Sequence, residues 1–163
     1  MDLDASRIQH ADARVAVLAL ATAGGGEDQM KPIVFGYLAT GGVMLALDLV
    51  WLTLMAPRLY RPRIGELMAD KAALGPAAAF YLIYLTAVMV LAIVPAARED
   101  SWRRLLINAA VLGLCAYATY DLTNQATLKV WSTTITLADM AWGMFLTTVA
   151  ASAGFAALRA AAR

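Results

Sequence analysis

The sequence predicts an all-α integral membrane protein, a four-transmembrane-helix up-down bundle. Three observations predict it. Hydrophobic residues make up 61% of the 163-residue chain and charged residues only 15%, whereas soluble domains carry about a quarter charged. Mean hydropathy is +0.65, and the charges lie in short connecting stretches between long uncharged ones. Four such apolar stretches occur, each long enough to cross a hydrocarbon core of about 30 Å at about 1.5 Å per residue.

The first 29 residues differ in kind from the rest. They are polar and punctuated by glycine, with one apolar run, Val15 to Ala23, that is too short to span a bilayer. Their acidic start is wrong for a signal peptide. At residue 30 the sequence "MKPIVFGYLAT" reads as a natural beginning. Residues 1–29 are therefore expected to be a disordered or mis-called N-terminal extension, and residues 30–163 a four-helix membrane domain.

The first helix is expected over about 33–56. It is followed by the longest connection, Pro57 to Gly75, which opens with Arg58, Arg61 and Arg63 and carries Ile64, Leu67 and Met68 at helical spacing. That stretch reads either as a short amphipathic helix lying on the membrane surface or as a solvated loop. The second helix is expected over about 76–97, the third over 105–128 and the fourth over 135–158. Short connections between the second, third and fourth make neighbours antiparallel. Tyr60, Trp102 and Trp131 lie near segment ends, as an interfacial aromatic belt requires. Small residues (Ala109 and Gly113, Ala150 and Gly154) fall at candidate helix contacts.

Composition also excludes function classes. A net charge of +1 gives no field for nucleic acid. The single cysteine, Cys115, lies in an apolar run and reads as a small packing residue. The single histidine, His10, lies outside every span, so ligands for haem, a di-iron centre or catalytic zinc are missing from the membrane segments. No cofactor and no metal site is expected. Basic residues divide almost evenly between the two ends: Lys31, Arg98, Arg103, Arg104, Arg159 and Arg163 against Arg58, Arg61, Arg63, Lys71 and Lys129. The positive-inside rule has little to act on, and the reading places both termini in the cytoplasm.

Three aspartates fall inside the spans, where a charged Asp costs about 2.5–3.5 kcal/mol at mid-membrane. Asp48 lies 15 residues beyond Ile33, about 22 Å along the first helix. Asp121 lies 16 residues beyond Leu105, about 24 Å along the third, which runs the same way. Asp139 lies 4 residues beyond Ile135, about 6 Å into the fourth helix from the opposite face. In a core of about 30 Å all three fall in one layer. Tyr117, Asp121, Asn124 and Gln125 share a face of the third helix, and "DLVW" (Asp48, Trp51) and "DMAW" (Asp139, Trp142) each put an indole N–H one turn from a carboxylate. Candidate binding residues are thus Asp48, Trp51, Tyr117, Tyr120, Asp121, Asn124, Asp139 and Trp142, with no catalytic residue assigned.

The stretch "YATYDLTNQATL" carries eight polar residues in twelve. Either the other helices and water surround it, or the hydrocarbon region ends near Tyr120 and the run sits among headgroups. The aspartates could also act as interhelical glue worth about 0.6 kcal/mol each.

Together, "LDLVWL", "YDLTNQATLK" and "DMAWG" resemble a family of bacterial predicted membrane proteins, domain of unknown function 2177, over about Met30 to Arg163. The resemblance implies a small four-helix integral protein of the bacterial envelope and no particular activity. The leading functional expectation is a multi-pass protein of the bacterial inner (cytoplasmic) membrane that binds or handles a lipid-derived molecule through the aspartate layer. Membrane lipids are its expected partners, and an enzymatic role is not favoured. The alternatives are a small proton-linked transporter acting as a homo-oligomer, and a lipid-modifying enzyme using paired Asp as acid and base, with or without a hard cation such as Mg²⁺.

Overall fold

A computed structural model describes residues 30–163; the expectation for residues 1–29 lies outside the described residues. Four helices follow one another: α1 (Met30–Leu67), α2 (Leu74–Arg98), α3 (Trp102–Thr127) and α4 (Thr133–Ala161). All four are long and apolar enough to cross a membrane, and among the described residues there is no strand. The chain is a four-helix membrane bundle.

The largest departure from the sequence reading is the length of α1. The helix continues past Ala56 into the stretch that reads either as a separate surface helix or as a loop, and ends only at Leu67. Pro57 lacks a backbone N–H and its ring opposes the carbonyl four residues back. The chain accommodates it with a π turn at Ala56–Tyr60, which loosens the hydrogen-bond ladder where the proline cannot join it. Pro62 then falls at the second position of the next helical stretch, Arg61–Ile64, where a proline is tolerated. A second π turn, Met89–Ile93 in α2, precedes Pro95. A sequence rule that ends a helix before proline misses both devices.

α4 is the central helix. Small residues let its neighbours approach closely, as membrane helices without a hydrophobic driving force between them require. A methyl at Gly154 would meet Thr40 Oγ1 of α1 at 1.9 Å and the Gly36 carbonyl at 2.8 Å. A methyl at Gly113 of α3 would meet the Gly143 carbonyl of α4 at 2.3 Å. Phe155, Ile93, Leu105, Met44 and Leu146 fill the apolar core between the helices. The exterior is apolar too: Phe35, Leu38, Leu82, Ile83, Val111 and Leu137 are all exposed, which suits a lipid solvent rather than water.

Charges behave differently at the two ends. At the α2–α3 turn they pair: Arg104 hydrogen-bonds Glu99, holding that carboxyl below its usual range, and Arg159 Nη2 lies 2.9 Å from Asp100 Oδ1. Ser101 caps α3 by accepting the Arg104 N–H at 3.2 Å. At the other end Arg58, Arg61, Arg63, Lys71, Lys129, Glu66 and Asp70 make no ion pair among the described residues.

Candidate functional site

The aspartates divide into two held by the protein and one that is not. Asp48 on α1 accepts from the Tyr81 hydroxyl of α2 at 2.5 Å and from the Trp142 indole N–H of α4 at 3.2 Å. Asp139 on α4 is buried, at 7% exposure, and its Oδ1 accepts from the Tyr60 hydroxyl at 2.5 Å. Tyr60 in turn accepts from the Trp51 indole N–H at 2.8 Å. The two indoles stack, with ring centroids 4.3 Å apart and planes 11° from parallel. Each tryptophan therefore serves the carboxylate of the other helix, directly for Asp48 and through Tyr60 for Asp139. Trp51 and Trp142 are the seam between α1 and α4, and Tyr81 brings in α2.

Asp121 on α3 is different. Its exposure is 0%, and neither carboxylate oxygen has a hydrogen-bond partner. It lies within Coulombic range of Asp139. A buried polar group without a partner costs about 1–3 kcal/mol, and a charged one more. Tyr117, one turn earlier on the same face, packs directly on Gly143 of α4, where an added methyl would lie 2.1 Å from its ring.

The threonines of the polar stretch on α3 bond within their own helix. Thr119, Thr123 and Thr127 each donate to the carbonyl four residues back, at 2.7, 2.5 and 2.8 Å. These bonds let hydroxyls sit in a spanning helix without partners from other helices. Gln125 ties α3 to the start of α4: its Nε2 donates to Thr133 at 3.0 Å and its Oε1 accepts from Thr136 at 2.8 Å. Thr136 also accepts from the Trp131 indole at 3.0 Å.

Tyr120 and Asn124 face away from the Asp48–Asp139 network. Tyr120 is exposed and meets Trp131 edge to face, with centroids 5.9 Å apart. Both line a cleft of about 550 Å³ at the end of the bundle, together with Arg61 and Asp70. Of the eight candidate residues, then, four (Asp48, Trp51, Asp139 and Trp142) join one network. Tyr117 and Asp121 sit in the interior beside it, and Tyr120 and Asn124 belong to the cleft.

Two residues central to the network, Tyr60 and Tyr81, were missed by sequence reasoning. Tyr60 falls in the stretch that reads either as a surface helix or as a loop, and its position near a segment end marks it only as a belt residue. Tyr81 lies in the apolar run "AAAFYLIYLTAV" beside Tyr84, where nothing tells which way either phenol points. A usable signal existed for Tyr81: in a span, a tyrosine well inside the apolar run needs a partner for its hydroxyl, and Asp48 was the unclaimed acceptor on the neighbouring helix.

Among the described residues no group of three or more His, Cys, Asp or Glu side chains is arranged to hold a metal ion. No curated protein and no solved structure matches the chain. The family model described as "Predicted membrane protein (DUF2177)" matches residues 33–156, from the first turns of α1 to the last turns of α4. The chain therefore belongs to the DUF2177 family of predicted membrane proteins.

Proposed function

We propose that this multi-pass protein resides in the bacterial inner membrane and binds a lipid-derived, amphipathic molecule at the aspartate layer, with Asp121 as the receiving group. The observation that carries the reading is the contrast within the layer. Asp48 and Asp139 are satisfied by tyrosine and tryptophan from neighbouring helices, whereas Asp121 is fully buried with both oxygens unpartnered. Intramembrane carboxylates are costly and mark functional sites by default. A hydrogen-bond donor on a bound amphiphile would satisfy Asp121 where the protein does not. On this reading the side chain binds and orients; it performs no chemistry.

The test is the whole-cell lipid profile of a deletion strain complemented with wild type or Asp121→Asn. Restoration of specific lipids by the wild type alone supports the reading. An unchanged profile on deletion, or full rescue by the variant, opposes it.

A second reading, a proton-linked carrier working as a homo-oligomer, draws on the proximity of Asp121 to Asp139, since an acid pair can hold and release a proton. Against it, the far half of α3 offers only Asn108 as a polar step, and that side chain already donates to the Leu91 carbonyl at 2.9 Å. Flux into proteoliposomes that survives Asp121→Asn and Asp139→Asn would eliminate the carrier.

A further inference from the structure

The cleft beside Tyr120 is separate from the aspartate network and carries its own chemistry. Its walls come from three places: the end of α1 with Arg61, the α1–α2 connection with Met68 and Asp70, and the end of α3 with the following loop, with Tyr120 and Trp131. It opens at the end of the bundle where basic and acidic side chains make no ion pair among the described residues. Arg61 supplies a planar cationic fork suited to a phosphate, and Asp70 supplies a carboxylate. Tyr120 and Trp131 stand 72° apart, so their two ring faces form a corner that favours an organic cation. Leu67 and Met68 add apolar wall for a hydrocarbon chain.

An anionic headgroup alone would leave Asp70 and the aromatic corner without a role. A soluble cation would leave Arg61 and the apolar wall without one. A headgroup carrying both a phosphate and an ammonium uses all of them. We propose that this cleft binds the zwitterionic headgroup of a glycerophospholipid of the phosphoethanolamine class, its phosphate on Arg61 and its ammonium between Asp70 and the Tyr120–Trp131 corner. The proposal rests on the lipid-binding reading above for the hydrocarbon part and adds the headgroup class. The position also suits the interface, where Trp, Tyr and Arg anchor at headgroup depth.

The experiment is native mass spectrometry of the detergent-purified full chain with equimolar phosphatidylethanolamine and phosphatidylglycerol, repeated with free phosphoethanolamine as competitor. Wild type is expected to retain the ethanolamine lipid about threefold over the glycerol lipid, the scale of one exposed ion pair. Asp70→Asn and Tyr120→Leu, both at exposed positions, are expected to erase the preference. Arg61→Gln should weaken both lipids, because both carry the phosphate. Competition by free phosphoethanolamine at lipid-like concentrations would assign the same headgroup chemistry to a soluble ligand. Equal retention of the two lipids by wild type, or a preference that survives both Asp70→Asn and Tyr120→Leu, overturns the headgroup assignment and leaves the lipid reading standing. Failure to retain either lipid overturns both.

Discussion

The indole N–H of Trp142 donates to Asp48 across the α1–α4 seam at 3.2 Å, although Asp48 has Trp51 one turn away on its own helix. Trp51 instead points its N–H at Tyr60, which carries the connection on to Asp139. The stacked indoles thus cross-link two helices through two carboxylates, and this exchange is what locks the layer.

Removing the N–H while keeping the ring isolates that link. Trp142→Phe should destabilise the bundle by about 1 kcal/mol, the net worth of one hydrogen bond, because Asp48 keeps Tyr81. Unfolding in mixed micelles by titration with a denaturing detergent measures it. In a double-mutant cycle with Asp48→Ala, which removes the acceptor, the two effects should be less than additive; strict additivity would mean that the contact carries no energy.

Tyr60→Phe should cost more than Tyr81→Phe. The first strips the hydroxyl that serves Asp139, which is buried and has that donor alone among the described residues. The second leaves half-buried Asp48 with Trp142. A penalty of about 1–3 kcal/mol is expected for Tyr60→Phe, the cost of stranding a buried acceptor. Equal penalties in the same unfolding titration would contradict the dependence of buried Asp139 on the Tyr60 hydroxyl.

Glycine substitutions separate contacts from mere helix positions. Gly113→Ala forces a methyl against the backbone carbonyl of Gly143, and Gly154→Ala forces one against Thr40 and the Gly36 carbonyl. Each should destabilise by about 1–3 kcal/mol or more through overpacking. Gly42→Ala, which meets nothing within 4 Å, should leave the melting temperature of the purified protein unchanged or raised.

Substitution of the aspartates by leucine should sort them. Asp139→Leu breaks the Tyr60 bond and is expected to lower stability. Asp121→Leu removes an unpartnered polar group from the interior and should be neutral or stabilising. If Asp121→Leu were as damaging as Asp139→Leu, Asp121 would be a structural tie rather than a receiving group.

Much of this was legible in the sequence, for identifiable reasons. Counting at 1.5 Å per residue placed Asp48, Asp121 and Asp139 in one layer, because helix rise is constant and adjacent spans alternate direction. The structure links Asp48 and Asp139 through one aromatic seam and leaves Asp121 within Coulombic range of Asp139. What failed was whatever depended on neighbours. Successive residues on a helix differ by about 100° in direction, so the polarity of "YATYDLTNQATL" could not tell buried Asp121 from exposed Tyr120. Its threonines were counted as needing external partners, whereas each bonds its own helix. Pro57 conceals Tyr60, because the chain passes the proline in a π turn and stays helical beyond it.

On the proposed reading, Asp121 is kept without a partner among the described residues because it receives an amphipathic ligand. Its most direct test is the amount of lipid that co-purifies, per mole of folded protein, with wild type and with Asp121→Asn after identical delipidating washes. Tightly held lipid in the wild type that is lost from a variant with an unchanged melting temperature is the predicted result. Equal lipid in both proteins would contradict it.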